Sequence, residues 1–447
     1  MKMSFRWQSG WINGILLLKE MLQKESVMDR KYRYHFTPPK GWTNDPNGLV
    51  YIGGVYHLFY QHYPHDVVWG PMHWGHAVST DLLHWEHKPI AIFPTEEEYI
   101  FSGSCVYDKD NVTGLGTKEH PPLVAFYTSH NPVTGEEQQS VAYSTDFETF
   151  IKYEGNPVIE NRKYMEGDVT QENPAFKKDF RDPKVFPNPV SGGFSMVLAA
   201  GHQLEFYHSA DLLSWEKTGE FAPKEGFVEI CECPDCFPME TEEGTKWILS
   251  LSLTSHVMPY YVGKFDGKTF VEDIERPAKP HLLDYAADNY AMVSFANCSE
   301  PLLLGWGECW DYVSQTPANK YRGKMTMARK VQLVMTREGW RLRLIPAVAE
   351  GIEVQDYWSG AMQPGEQKEF VLCKDRKLVL SVTETEIVVD RSMAGDFSFS
   401  EFLQTKSLRF TAKRVLSGEC KITVIQDNGY FEIFAEDGFV PFSVMTY

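Results

Sequence analysis

Ser79-Thr80-Asp81-Leu82-Leu83-His84-Trp85 recurs as Ser144-Thr145-Asp146-Phe147-Glu148-Thr149-Phe150, and again as Ser209-Ala210-Asp211-Leu212-Leu213-Ser214-Trp215. The three aspartates are evenly spaced, 65 residues apart each time. Each copy follows a β-like segment (75–78, 140–143, 204–208), and a stronger apolar segment lies upstream of each (55–60, 123–127, 194–199). A weaker fourth unit runs through 247–251 and 260–265 to Asp266-Gly267, and a strand at 301–306 completes the series. Regular repeats of several short strands mark a radial or solenoid architecture. Units of about 60 residues with alternating strands fit four-stranded propeller blades better than helical repeats. Five such units occupy roughly residues 33 to 335. Within the repeat, Trp85 and Trp215 read as packing residues, and the aspartate as the cap of a turn through its own backbone.

The last hundred residues change character. Strands are expected at 377–389 and 407–415, followed by alternating segments separated by Asp427-Asn428-Gly429 and Glu436-Asp437-Gly438. Asn-Gly and Asp-Gly between alternating strands are hairpin signals. The expected fold is all-β: an N-terminal extension (1–32), a five-bladed β-propeller (33–338) and a β-sandwich (339–447).

Composition is that of a globular protein, with 43% hydrophobic and 23% charged residues. Twelve Trp, 22 Tyr and 28 Phe suit both a β-protein and carbohydrate binding, because sugar rings present flat C–H faces to aromatic planes. A formal charge of −18 argues against nucleic acid or an anionic membrane surface as partner. No segment approaches the ~20 apolar residues that span a bilayer. Lys2, Arg6 and Ile15-Leu16-Leu17-Leu18 resemble a secretory leader, but Asn13, Gly14, Lys19 and Glu20 break the pattern and no small-residue cleavage site follows. Residues 1–28 are therefore expected to form a short amphipathic helix or tail, with Met28 as a candidate start and the cytoplasm as the location. Eight Cys are too dilute for a disulfide scaffold. Cys231, Cys233 and Cys236 cluster, yet lack the fourth ligand and second spaced pair of a zinc site, so no metal or cofactor is expected.

Three acidic motifs sit in turn-rich contexts: Trp42-Thr43-Asn44-Asp45-Pro46-Asn47-Gly48, Phe180-Arg181-Asp182-Pro183-Lys184-Val185 and Cys231-Glu232-Cys233-Pro234-Asp235. An Asp before Pro is confined to extended backbone in two of them, and a single Asp-Pro is most often a turn. The innermost strands of a propeller converge on its axis, so carboxylates from different blades can meet in one pocket whatever their separation in sequence. A retaining glycosidase needs two carboxyls ~5–5.5 Å apart, one ionised and one protonated. Neighbouring negative charge raises the pKa of the one that stays protonated.

Taken together, the motifs resemble those of glycoside hydrolase family 32, the invertases, sucrose-6-phosphate hydrolases, inulinases and levanases. The resemblance runs from about His35 to the C-terminus, with supporting segments in the family's order: Phe59-Tyr60-Gln61-His62-Tyr63-Pro64, Trp69-Gly70, Phe101-Ser102-Gly103-Ser104, Asp284-Tyr285 and Gly305-Trp306-Gly307. It implies a five-bladed propeller followed by a β-sandwich, in agreement with the repeat, and a small-molecule or oligosaccharide fructoside as substrate. It assigns Asp45 as nucleophile at the anomeric C2, Glu232 as acid and base, and Asp182, beside Arg181, as the group that grips the furanose hydroxyls. Asn44, Gln61, Trp69 and Ser102 correspond to the fructose subsite, Trp42 and Phe101 to its walls, and Tyr285 and Trp306 to further binding positions. Cys231 stands where many relatives carry an aromatic residue and Thr43 where a larger apolar one is common, and both bear on the space beyond the fructose.

Two other readings use the same fold. An inverting arabinanase- or xylosidase-like hydrolase would hold its carboxyls ~6.5–9.5 Å apart to admit a water. A non-catalytic sugar-binding protein would lack at least one of the three acids, and all three are present. The sequence carries no statement of oligomeric state.

Overall fold

The computed structural model describes residues 31–447, apart from 166–167, 224–225, 274–279 and 319. The helix or tail expected at 1–28 lies outside the described residues. Five sheets of four antiparallel strands in sequence order follow one another along the chain, the first strand of each lying nearest a common axis. In the first sheet Tyr321–Arg322 adds a short parallel strand beside Gly41–Ile52. These inner strands are β1 (Gly41–Ile52), β2 (Tyr99–Tyr107), β3 (Phe180–Pro187), β4 (Cys231–Thr241) and β5 (Tyr290–Ser294). Each packs against the next, and β5 returns to β1, which closes a five-bladed propeller. Ala296, just past β5, seals the ring by exchanging backbone hydrogen bonds with Leu49 and Tyr51 of β1.

The repeat read from the sequence builds the turn between the third and fourth strands of the first three blades. In the first, the Asp81 carboxylate accepts the N–H groups of Leu83 and His84 at 2.9 and 2.8 Å. Asp146 and Asp211 accept the equivalent pairs. The residue after each aspartate (Leu82, Phe147, Leu212) takes a positive φ, which the surrounding hydrogen bonds hold in place. In the fourth blade Asp266 caps Lys268 and Thr269 in the same way. Core side chains fill the wedges between blades, such as Phe59, Trp74, Ile100 and Tyr127 between the first two.

The fifth blade runs Tyr290–Ser294, Leu302–Trp306, Arg329–Thr336, Gly339–Pro346. Its last two strands are a hairpin paired from Arg329↔Pro346 to Thr336↔Gly339, so a boundary between 338 and 339 would cut it and the blade continues to Pro346. Two four-stranded sheets then form the sandwich. The single strand expected at 377–389 is two, Arg376–Val382 and Glu386–Asp390, because Thr383 closes a turn by bonding back from its N–H to Glu386 O at 2.8 Å. The two units are tied by buried ion pairs. Arg329, backed by Asp284 at 3.1 Å in its own unit, reaches Glu432 of the sandwich at 2.8 Å, and Arg391 of the sandwich reaches Asp288 at 2.7 Å, all with fully buried side chains. His35 spans Asp427 and Glu432 of the sandwich at 2.8 and 3.0 Å.

All five inner strands carry a break in pairing register near the same end: between Thr43 and Pro46, Ile100 and Gly103, Arg181 and Lys184, Glu232 and Asp235, and Tyr290 and Val293. A bulge re-aims the side chains on its strand. In three of the five the bulge holds a non-glycine residue at positive φ: Asp182 at 65°, in place of the extended backbone expected before Pro183, Cys233 at 45° and Ala291 at 52°. This ring of bulges turns Asp45, Ser102, Asp182 and Glu232 toward the axis.

Candidate active site

A pocket of about 250 Å³ opens where the bulges meet, equivalent to about eight water volumes, which is room for one sugar ring. Its acidic lining comes from three blades: Asp45 on β1, Asp182 on β3 and Glu232 on β4. Asn44, Gln61, Phe101, Ser102 and Arg181 complete the interior, and Trp69, 44% exposed, stands at the mouth. Beneath it the axis narrows to a space of about 20 Å³. There Lys184 donates to Ser294 O at 2.6 Å and to Asp235 at 3.3 Å, so the pocket ends blindly.

Each carboxylate is held differently. Asp45 accepts from Ser102 Oγ at 2.6 Å on one oxygen and from Asn44 Nδ2 at 3.1 Å on the other. The Cys233 thiol, whose pKa burial pushes well up, also donates to Asp45, with Sγ at 3.6 Å. Asp182 accepts the N–H of Cys233 at 2.8 Å, while its own N–H donates to Thr128 Oγ1 at 3.0 Å. Glu232 accepts from Arg181 Nη2 at 3.0 Å on one oxygen and from the Tyr290 hydroxyl on the other. Arg181 is itself clamped from the far side by Glu137 at 3.1 Å and Asp179 at 2.9 Å.

Burial dominates the electrostatics. It pushes the Asp182 carboxyl up to about 7, with Arg181 pulling down and Asp45 and Glu232 pushing further up. Burial also raises Asp45, against the hydrogen bonds from Ser102 and Asn44 that favour its ionised form. The site therefore concentrates negative charge around a single guanidinium.

Three residues expected at the pocket lie elsewhere. Trp42 is buried behind the wall, where its indole N–H donates to Asn44 Oδ1 at 2.8 Å and fixes that amide. Trp306 is fully buried one layer further back, its ring 6.2 Å from Trp42. Tyr285 faces the sandwich: its ring packs on Phe442, its N–H donates to Pro441 O at 2.9 Å, and its hydroxyl accepts from Arg341 at 3.0 Å. The wall expected of Trp42 is supplied by Trp310, which lines the pocket and stacks on Trp42 at 5.7 Å. Trp310 lies three residues past the Gly305-Trp306-Gly307 segment. Tyr290 and Glu137 were also unforeseen, and nothing local in the sequence marks either. Of the cysteine cluster, Cys231 and Cys236 pack into one core between blades while Cys233 packs into another and faces Asp45.

A family model described as the glycosyl hydrolases family 32 N-terminal domain matches residues 35–346, which ends with the last strand of the fifth blade. Among curated proteins, the levanase of Bacillus subtilis (strain 168) is 37% identical over 464 residues, covering 92% of this chain and 66% of its own length. The invertase of Schizosaccharomyces pombe is 37% identical over 325 residues, covering 67% of this chain and 52% of its own. The chain thus spans about two thirds or less of the length of these relatives. Among solved structures, the exo-inulinase of Aspergillus awamori superposes with a TM-score of 0.81 at 28% identity, covering 93% of this chain and 92% of that one. The fructofuranosidase of Schwanniomyces occidentalis complexed with fructosylnystose has a TM-score of 0.78 at 26% identity, covering 94% and 92%.

Proposed function

The chain belongs to glycosyl hydrolase family 32, and from that premise we propose that it removes terminal β-D-fructofuranosyl units from neutral fructosides, sucrose or short fructans, by double displacement. The observation that carries this reading is the convergence of Asp45, Asp182 and Glu232 from three blades into a blind pocket the size of one sugar ring. An Asp45 oxygen attacks C2 of the fructosyl unit. The bond from C2 to the leaving oxygen breaks with its electron pair, and Glu232 gives that oxygen a proton. Water then attacks C2, Glu232 takes its proton, and the bond to Asp45 breaks. Ser102 and Asn44 keep Asp45 oriented for the first step, while Arg181 and Tyr290 orient Glu232 for both. Asp182 sits where it can bond the furanose hydroxyls.

A blind pocket supports attack at chain ends. Arg181 is the one cation lining the described pocket, and three carboxylates already hold it, which supports a neutral rather than a phosphorylated leaving group. The relatives named levanase, exo-inulinase and invertase support the same substrate class. The inverting alternative is not favoured by family membership, and the binding-only alternative is not favoured by three intact acids. Eight cysteines without a disulfide support a reducing, cytoplasmic location, which fractionation of the source cells checks.

The test is to compare kcat/KM on sucrose, 1-kestose, inulin, levan and sucrose 6-phosphate, with Asp45→Asn as control. The reading requires fructose release from a neutral substrate that Asp45→Asn abolishes. Turnover of sucrose 6-phosphate alone overturns the neutral leaving group, and substantial hydrolysis by Asp45→Asn overturns the nucleophile.

A further inference from the structure

Two loops beside the pocket bring together a set of donors that the proposed reaction does not use. His256 sits in the turn between the strands Gly244–Leu253 and Pro259–Phe265 of the fourth blade, where its N–H bonds to Leu253 O at 2.8 Å and its φ is 62°. Cys309 and Asp311 flank Trp310 in the loop that follows Leu302–Trp306 of the fifth. Val313 bonds back to Cys309 O at 2.9 Å, so that loop is braced. His256 Nδ1 lies 3.0 Å from Asp311 Oδ2, and one donor atom from each of His256, Cys309 and Asp311 falls within 4.8 Å of the others. Cys309 is buried, whereas Asp311 reaches solvent and gives an ion a way in.

We propose that His256, Cys309 and Asp311 form a binding site for one zinc-like divalent cation, and that its occupancy restrains the Trp310 wall of the pocket. One imidazole nitrogen, one thiolate and one carboxylate suit a borderline-soft ion, with metal–ligand distances of about 2.0–2.3 Å and a fourth position left for water. Tetrahedral coordination needs the three donors to close in by about an ångström, which an exposed aspartate in a loop allows. Binding forms a sulfur–metal bond and releases the Cys309 thiol proton to solvent; nothing is oxidised or reduced. The link to the pocket is covalent and short. Trp310 stands between two of the three ligands, and the His256 ring packs at 5.4 Å on Tyr290, whose hydroxyl holds Glu232. The site itself rests on donor geometry; only its effect on turnover rests on the proposed hydrolase activity.

The full chain, freed of metal by chelation, is titrated with Co²⁺ as a spectroscopic stand-in for Zn²⁺. One equivalent is expected to give a thiolate-to-cobalt charge-transfer band and tetrahedral visible bands, which Zn²⁺ then bleaches. Cys309→Ser and the surface variant Asp311→Asn should lose these bands, while Cys373→Ser, which removes an exposed thiol, should keep them. No thiolate band in the unaltered chain, or one that survives Cys309→Ser, overturns the site. In the same preparations, Zn²⁺ should lower kcat/KM on the fructoside several-fold, and leave Asp311→Asn unaffected. Equal inhibition of both, or of neither, overturns the coupling. A chain that binds Co²⁺ through Cys309 but cleaves no fructoside keeps the metal site and overturns the hydrolase reading instead.

Discussion

Arg181 places Nη2 3.0 Å from Oε1 of Glu232, and the opposite side of the same guanidinium is gripped by Glu137 and Asp179. Burial alone would raise the Glu137 carboxyl, but His130 and Arg181 hold it below the ordinary range, so it stays ionised as an anchor. Glu137 also accepts the N–H of Phe180 at 2.8 Å, fixing the strand that carries Asp182. It does not line the pocket and reaches it only through Arg181. Glu137→Gln should therefore lower kcat by about tenfold or more, because small misplacements of catalytic groups are costly. The pH–rate profile should move while KM changes little. Steady-state kinetics across pH, with a melting curve to show the fold intact, make the check; an unshifted profile assigns Glu137 a purely structural role.

Asp182 predicts a pH-dependent stability. Its carboxyl is raised from 3.8 to about 7 in the folded chain, so between those values the folded state binds more protons than the unfolded one. Stability from this group is fully present below the unfolded value and falls as pH rises toward 7. At about 1.4 kcal/mol per pKa unit, the strain above pH 7 is on the order of 4 kcal/mol. Asp182→Asn is neutral at every pH. It should raise Tm, and by more near pH 8 than near pH 4.5, while turnover collapses. A gain independent of pH contradicts the assignment.

His35 runs in the same pH direction for the opposite physical reason, because its partners favour the charged form. Burial favours its neutral ring, but the hydrogen bonds to Asp427 and Glu432 outweigh burial and the pKa is raised above 6.5. Its contribution is fully present below the unfolded value and lost as pH climbs through the raised one. His35→Gln should cost about 1–3 kcal/mol in mildly acidic buffer by leaving buried carboxylates short of donors. The deficit should shrink as pH rises toward 9. Denaturant melts at several pH values read this directly, and a constant deficit would contradict a charged His35.

The placement of the aromatic residues separates binding from support. Trp310 lines the pocket, so Trp310→Ala should raise KM on a fructoside several-fold with a smaller change in kcat. Tyr285 bonds Arg341 against the sandwich, so Tyr285→Phe should cost about 1 kcal/mol of stability and leave KM unchanged. A KM effect from Tyr285→Phe would return that residue to the site.

What the sequence disclosed follows from where the information is held. The Ser-x-Asp turns were legible because side chain and backbone partners lie within a few consecutive residues, as Ser79, Asp81 and His84 do. The inner strand of the fifth blade was not, since Tyr290–Ser294 has only five residues and no such turn marks it. The hairpin at 383–385 escaped because Thr383-Glu384-Thr385 turns without Gly or Asn. The acids were legible through motif resemblance. Tyr290 reaches Glu232 across 58 residues and Glu137 reaches Arg181 across 44, contacts set only by blade packing.

The proposed double displacement needs Glu232 as acid and base and a covalent fructosyl–Asp45 intermediate, and one experiment addresses both. Glu232→Ala should lose about 10²–10⁴-fold in kcat on sucrose, whose glucose leaves poorly unless protonated. It should lose much less on a fructosyl donor with a good leaving group. With that donor, azide should accelerate turnover, since it needs no deprotonation, and the product should be β-fructosyl azide with configuration retained. Equal damage on both substrates without an azide effect would remove Glu232 from its role. An α-configured azide would contradict the double displacement and the covalent role of Asp45 with it.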